Sequence, residues 1–591
     1  MHKTQILFSC IMFSLHMCAH ESRYLGIQDD TPFVEPIKKG VQQPPKLEGF
    51  SDLFARANEL FQSGKLDEAI LYYGKTIDIN PSCFQAHFNR GLAQTKKQNY
   101  AAAEQNYRKA LEVHPEYEKA HLALAATLKS AEKFDDAITE YKNILQKSPY
   151  HFDAHMALGH LLCDLRRFDE AIFLFEKAMQ LKPENTQGKF SLANAFTMKD
   201  EPAKALPLFL EIEQQIPQSA NVLCNIAYTY KKMGWMEEAL NYYRKTIAVD
   251  PNHAEGHFAL GTSLITIEDF ENGWREYEWR WQKKRPPFAP PHRAFWDGSD
   301  LSGQVILLQA EQGLGDTFQF IRLGKIAKER GALVIAAVQN PLVKILSNCT
   351  FIDRVISLKE PSPPSDVCAS LMSLPHILGT TVETIPIEIP YLHADESLVE
   401  FWGKELADDH NFKIGICWQG NPNYSTPFLR NAVAAKSVNL RDLEPISQLP
   451  GVSLYCLQKT TGEEQIDQLP DSFSLHVFGP DFDRAHGAFM DTAAVMKHLD
   501  LVLTVDTSIA HLAGGLGVPV WVILPEPADW RWMLRESDSP WYPHMRLFRQ
   551  PSYGDWDSVI RTVVRELKKE IWRKNYRKQQ MKQKRKETAW S

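Results

Sequence analysis

No two cysteines in this chain are spaced as CxxC, and its nine cysteines fall in no pairing pattern. That excludes a disulfide-stapled scaffold and a structural zinc site, and favours reduced thiols in a cytosol-like compartment. An excess of positive charge is also missing. The formal net charge is -7, which gives no general pull toward nucleic acid. The apolar run from Ile6 to Ala19, broken by Ser9, Ser14 and His16, is too short to cross a bilayer as a helix. Behind Lys3 it has the length of a signal-peptide core, yet Met17 is large where cleavage after Ala19 wants a small residue. Residues 1–20 therefore read either as an export segment or as an unstructured start.

What is present is ordinary for a globular chain: 44% hydrophobic and 24% charged residues. At 591 residues it is too long for one core, and about three domains are expected. Residues 21–50, with Pro32, Pro36, Pro44 and Pro45, read as a linker.

From residue 51 a period of 34 takes over. Pro81, Pro115, Pro149, Pro183, Pro217 and Pro251 keep it. So do Ala69, Ala103, Ala137, Ala171, Ala205 and Ala239, and the aromatics Tyr73, Tyr107, Tyr141, Phe175, Phe209 and Tyr243. A small residue recurs at Gly91, Ala125, Gly159, Ala193, Ala227 and Gly261. This pattern resembles the tetratricopeptide repeat. Small residues let paired helices approach, the aromatic fills the gap, and Pro ends each unit. Six repeats and a divergent seventh, with Gly273 and Tyr277 in phase, predict an α-solenoid over 51–282. The indoles of Trp274, Trp279 and Trp281 are expected to dock it on the next domain. His87, His121, His155 and His257 recur near one position, which repeat packing or the concave lining explains better than metal ligation.

Residues 283–303 are Pro-rich and read as a linker. Beyond them apolar strands alternate with helices, the pattern of parallel α/β sheets. A first lobe, 304–395, has strands at Val305–Gln309, Ala332–Val338 and Arg354–Leu358, a glycine-bearing turn EQGLGD, and a helix over Thr317–Arg330. A second lobe, 411–566, has strands at Lys413–Trp418 and Val452–Leu457, with a third suggested at Leu475–Phe478. It then runs through a helix, Phe489–His498, into LVLTVDTSIAHLAGGLGVPVWVILP, which reads as strand, helix opening on Asp506-Thr507-Ser508, and strand. Such a helix start points N–H groups and a positive dipole end past the strand ends, a suitable place for a diphosphate.

The stretches EQGLGDTFQFIR, WQGNP, DTAAVMKHLDLVLTVDTSIAHLAGGLGVPVW and DWRWMLRESDSPWYP with LFRQ resemble, as a set, the heptosyltransferase-like glycosyltransferase family 9. That resemblance covers 303 to about 566 and implies a two-lobed GT-B fold, twin Rossmann-like sheets with a ligand crevice between them. It implies a nucleotide-sugar donor as substrate with no cofactor, and Asp316 as the catalytic base. Asp316 reads equally, from the residues alone, as a helix cap. Gly313 and Gly315 let backbone approach the ligand. Asp506, Thr507 and Ser508 fall where the family binds the donor diphosphate, with Asp506 orienting the loop. His511, one turn on, reads as a phosphate donor or as a partly buried helix histidine. Lys436 falls near a phosphate-holding basic position, with Arg430 its rival, because the segment NPNYSTPFLRNAVAAKSVNL departs from the family pattern. Trp530 and Trp532 are expected to wall the lobe interface rather than stack on a base. No DxD-like acidic pair sits in a plausible place after a strand, and no metal ligand is assigned.

Residues 567–591 form a basic tail, with ten Lys or Arg against one acid from Leu567 to Lys586. A solvated helical end is the first reading, and contact with an anionic membrane surface the sharper one; nucleic acid is not expected as a partner. The expected function is an inverting, metal-independent glycosyltransferase moving sugar to a protein or glycan acceptor held by the repeats. The alternative is a non-catalytic repeat scaffold carrying a degenerate GT-B domain. The cytoplasm is the expected compartment, because nucleotide sugars are made there; export through residues 1–20 is the alternative.

Overall fold

The structure is a computed structural model that describes residues 49–283, 294–421, 433–534 and 537–590. The apolar segment at 1–20, nearly all of the 21–50 linker, and Arg430 lie outside the described residues. The chain forms two compact units that part between Met233 and Gly234. The division therefore falls inside the expected 51–282 array, at the turn between the two helices of the sixth repeat, and not at the 283–303 linker.

The first unit is built of helix pairs, from Phe50–Gln62 with Leu66–Ile79 onward to Ala220–Lys232. First helices hold 13 residues and second helices 14, which with the turns makes up the sequence period. The phased alanines Ala69, Ala103, Ala137, Ala171 and Ala205 are fully buried. Close approach explains the small position: a Cβ on Gly91 would lie 2.6 Å from the Tyr107 ring, and one on Gly159 2.6 Å from Phe175. Turns within pairs use left-handed backbone at Gln98 (φ 61°), Glu132 (60°), Arg166 (59°) and Asp200 (70°). His87 and His121 bring Nε2 to 3.0 Å from the carbonyls of Pro81 and Pro115. These histidines tie a helix to its preceding turn, which is the packing role.

The second unit begins with the helices Met236–Val249, Ala254–Thr266 and Phe270–Tyr277, then a 3-10 turn, Glu278–Gln282. Next in the chain are two five-stranded parallel sheets. The first is ordered β1-β5-β2-β3-β4, with β1 Ala294–Phe295, β2 Val305–Gln309, β3 Leu333–Val338, β4 Arg354–Ser357 and β5 Val367–Ser370. The second is ordered β10-β9-β8-β6-β7, with β6 Phe412–Cys417, β7 Val452–Cys456, β8 Leu501–Val505, β9 Val520–Leu524 and β10 Met545–Arg549. Successive residues of β9 feed opposite faces. Val520, Val522 and Leu524 join the core shared with the last repeat and the first sheet, while Trp521 and Ile523 join the core under the C-terminal helix. A strand covered on both sides reads as a continuous apolar run, which is why these strands were visible in the sequence.

Three expectations need correction. β1 lies inside the supposed linker and pairs with β5, with Trp296 buried beside it. The Thr317–Arg330 helix instead starts at Leu314 and is interrupted by a 3-10 turn at Ile321–Leu323 before Gly324. Leu475–Phe478 contributes one bridge, Tyr455 to His476, and no strand. The tail, as expected, is helical: it continues the helix Trp556–Trp590, which packs through Val559, Ile560, Val563 and Leu567.

Candidate functional site

Two βα turns meet at the site. In the first sheet, β2 runs into Ala310–Gly313 and the helix Leu314–Phe320. In the second, β8 runs into Asp506-Thr507 and the helix Ser508–Leu516, which Gly517 ends at φ 74°. Gly315 is where they touch. A Cβ there would lie 2.8 Å from His511 Cδ2 and 3.6 Å from Ser508 Cα. Glycine at this position serves helix contact, and leaves no room for a ligand at that point.

Asp316 does two jobs. Its Oδ2 accepts the Gly313 N–H at 2.7 Å, so the capping role is present. Its Oδ1 accepts Arg531 Nε at 2.6 Å and Nη2 at 2.5 Å. Arg531 also donates to Asp529 Oδ1 at 2.7 Å and to Gln312 Oε1 at 2.9 Å, and lies over the Trp530 ring. Burial pushes the Asp316 carboxyl above the usual carboxylate range and outweighs the pull of Arg531 and the Gly313 N–H; Asp529 adds to the rise.

Lys436 Nζ donates to Asp506 Oδ2 at 2.9 Å. Burial works against both charges, but the pair prevails: the Asp506 carboxyl lies below its ordinary range and the Lys436 ammonium above its own. Asp506 therefore orients Lys436 beside the helix start. Thr507 supplies no capping bond; its hydroxyl is 3.0 Å from Thr504 Oγ1 and 3.8 Å from Cys417 Sγ. Thr507 thus places no side-chain oxygen on the first N–H groups of the helix; that of Ala510 donates to the Thr507 carbonyl at 3.1 Å, and the N–H groups before it are the donors an anion uses.

His511 is buried, with Nδ1 3.0 Å from the Tyr542 hydroxyl and its ring stacked on Trp532 at 5.2 Å. Burial drives its pKa down to about 3, against the opposing pull of Asp506. It is a neutral, packed histidine, and of its two readings the helix one fits. Trp530 and Trp532 are buried too, and Trp530 meets Trp274 at 5.7 Å and Tyr277 at 5.5 Å. Trp530 also reaches Phe320 of the first lobe at 6.5 Å, so it lies at the lobe interface and against the repeat, whereas Trp532 packs on His511 within the second lobe. Of the repeat indoles, Trp274 docks here, whereas Trp279 stacks back on His257 at 3.8 Å.

The structure thus gathers Gly313, Gly315, Asp316, His511 and Ser508 in one place, with Arg531 bridging back from the second lobe. Lys436 joins Asp506 at the edge of the same turn. Sequence reading missed Arg531 and Gln312. Both lie in quoted stretches, DWRW and EQGLGD, but nothing local marks an ion pair between residues 215 positions apart. It also missed Arg280, which is buried and donates to Glu311 from Nε at 2.6 Å and from Nη2 at 2.9 Å. Among the described residues no cluster of three or more His, Cys, Asp or Glu is placed to hold a metal ion. Among them, too, no helix is long and apolar enough to cross a membrane.

Family models of the tetratricopeptide repeat match residues 54–121, 152–185 and 220–253, so the helical part is a tetratricopeptide-repeat array. The chain is similar to the Protein FlbA of Caulobacter vibrioides, 25% identical over 390 residues, 61% of this chain and 64% of that protein. It thus spans somewhat under two thirds of that relative. Among solved structures, a tetratricopeptide repeat protein from Parabacteroides merdae is 17% identical with a TM-score of 0.35, covering 39% of this chain and 91% of that one. YrrB, described as a TPR protein with an unusual peptide-binding site, is 22% identical with a TM-score of 0.28, covering 32% of this chain and 96% of that one.

Proposed function

We propose that this chain is an inverting, metal-independent glycosyltransferase with a GT-B domain of the family 9 type, fed by a nucleotide sugar. The observation that carries the reading is the convergence at Gly315: an acid-bearing turn from one parallel sheet touches an uncapped helix start from the other. Asp316 would take the proton of an acceptor hydroxyl. That oxygen then bonds to the anomeric carbon, the bond from that carbon to the diphosphate breaks, and the diphosphate leaves with the electron pair. A carboxyl raised by burial accepts a proton more readily than a free one, which suits a base working near neutral pH. The N–H groups of Ser508 and Ile509, at a helix end worth about half a positive charge, would stabilise the departing diphosphate, with Lys436 beside them. Metal independence rests on the family 9 resemblance, whose implied fold needs no metal. The acceptor is a protein or glycan presented by the repeats, whose stacked pairs are protein-interaction modules.

One observation favours a second reading, a non-catalytic scaffold that binds a protein partner. Asp316 is neutralised by Arg531, and Lys436 by Asp506, so a ligand has to compete with ion pairs already made. A thermal-shift screen of the full chain against UDP, GDP, ADP, CMP and dTDP separates the two readings. A selective rise in melting temperature, reduced in Lys436→Ala, supports the transferase; no rise with any nucleotide supports the scaffold.

A further inference from the structure

The last repeat reaches the candidate site through side chains. Two consecutive residues of the EQGLGD turn are gripped by the end of the helix Phe270–Tyr277 and the turn after it. Glu311 is held by Arg280, by Ser370 Oγ, and through Arg280 by Ser373 Oγ at 2.6 Å. Gln312 gives its Nε2 hydrogen to the Tyr277 hydroxyl at 2.7 Å. Its backbone carbonyl is fixed as well, accepting from Gln339 Nε2 at 2.7 Å.

Donor and acceptor bookkeeping gives this chain of contacts a direction. Arginine only donates, so the Gln312 oxygen must face Arg531 and its NH2 group must face Tyr277. The Tyr277 hydroxyl must then accept. Were the Gln312 amide reversed, two donors would meet at Arg531. Arg531 thus sets the amide orientation, and the Tyr277 hydroxyl anchors the amide that presents its oxygen to Arg531 Nη2; that contact helps fix the guanidinium on Asp316. Asp529 holds the same guanidinium from the other side.

We propose that Tyr277 and Gln312 are positioning residues for Asp316, so that the terminal repeat is a working part of the site and not only its support. Its catalytic meaning rests on the transferase reading, but the coupling itself does not. Loosening Arg531 removes an influence that lowers the Asp316 pKa, so the carboxyl is protonated at higher pH. The other charged groups facing this cluster are Asp529, Lys436 and Asp506 and, on the Gln312 and Tyr277 side, Glu311 and Arg280; His511, across Gly315, is neutral.

The test is carbodiimide-driven coupling of glycine ethyl ester to Asp316 in the full chain, with peptide mass spectrometry across the mildly acidic range. Carbodiimide attacks the protonated carboxyl, so the pH of half-labelling reports its ionisation. Tyr277→Phe, which removes one oxygen and keeps the ring, and Gln312→Met should each raise that pH by about half a unit to one unit. Because the two act in series, the double variant should shift no further than Gln312→Met alone, a result that general loosening of the fold would not give. Unchanged labelling in Tyr277→Phe, or additive shifts in the double variant, would overturn the proposal. The same samples are tested for a melting shift with UDP and GDP. Wild-type protein that binds neither nucleotide yet shows the coupled labelling would count against the transferase reading while upholding the positioning one.

Discussion

Arg280→Met should be among the most damaging single changes in the second unit. The guanidinium is 1% exposed and the Glu311 carboxylate 0%, with two donated bonds between them. Burial alone would depress the arginine's pKa, but Glu311 and Glu278 more than offset that and raise it. Removing Arg280 leaves the Glu311 charge buried with the Ser370 hydroxyl and a long bond from the Gln312 amide, which costs about 3–5 kcal/mol. Replacing both partners, as in Arg280→Met with Glu311→Leu, removes the orphan and should recover most of that loss, since buried pairs rarely outperform apolar packing. The assay is direct, because all 14 tryptophans lie between Trp235 and Trp590. Tryptophan fluorescence in a urea titration therefore reports on the second unit alone. With a slope of about 3 kcal/mol per M, the single variant's midpoint should fall by about 1 M or more, and the double variant should lie nearer to wild type. A single variant within about 1 kcal/mol of wild type, or a double variant no better than the single, would refute the reasoning.

The same geometry sets two further outcomes. Gly315→Ala should destabilise the second unit by about 1–3 kcal/mol through overpacking on His511, read by the same titration, while Gly303→Ala relieves no contact and meets none, so that only its positive φ matters there. His511 is held neutral with its pKa depressed from 6.5 to about 3. In that window the unfolded chain binds the proton and the folded one does not, so stability is complete above about 6.5 and is lost as pH falls toward 3. His511→Gln should flatten the loss of the urea midpoint between neutral and mildly acid pH; an unchanged slope would mean that His511 is not the group responsible.

Much of this architecture could be read from the chain because it repeats or runs apolar. The 34-residue phase located the repeats, and runs such as Leu501–Val505 and Val520–Leu524, bounded by Asp506, Gly517 and Pro519, located buried strands. The left-handed turns at Gln98, Glu132, Arg166 and Asp200 were invisible, because tertiary packing holds ordinary residues where glycine would be the signal. β1 was hidden by its two-residue length and by the prolines before it. At the site, glycines and a helix start drew the eye to Gly313, Gly315, Asp316 and Ser508. The partners that define their chemistry come from distant positions. Arg531 for Asp316, Lys436 for Asp506, and Tyr277 for Gln312 are pairings that only folding creates. His511 reads in sequence as a phosphate donor or as a partly buried helix histidine, and periodicity could not choose between them because it does not tell which face of the helix meets Trp532.

The central claim is that Asp316 removes a proton while a diphosphate departs beside Ser508. Its most direct test is the release of nucleoside diphosphate from the nucleotide sugar selected by the binding screen, with acceptor present, for wild type and Asp316→Asn. Asp316→Asn keeps the size of the side chain but has one acceptor oxygen for the Gly313 N–H and the Arg531 guanidinium, and it cannot take the proton. It should bind the donor with unchanged affinity and release diphosphate at least about a hundredfold more slowly. Release by Asp316→Asn at the wild-type rate would contradict the account.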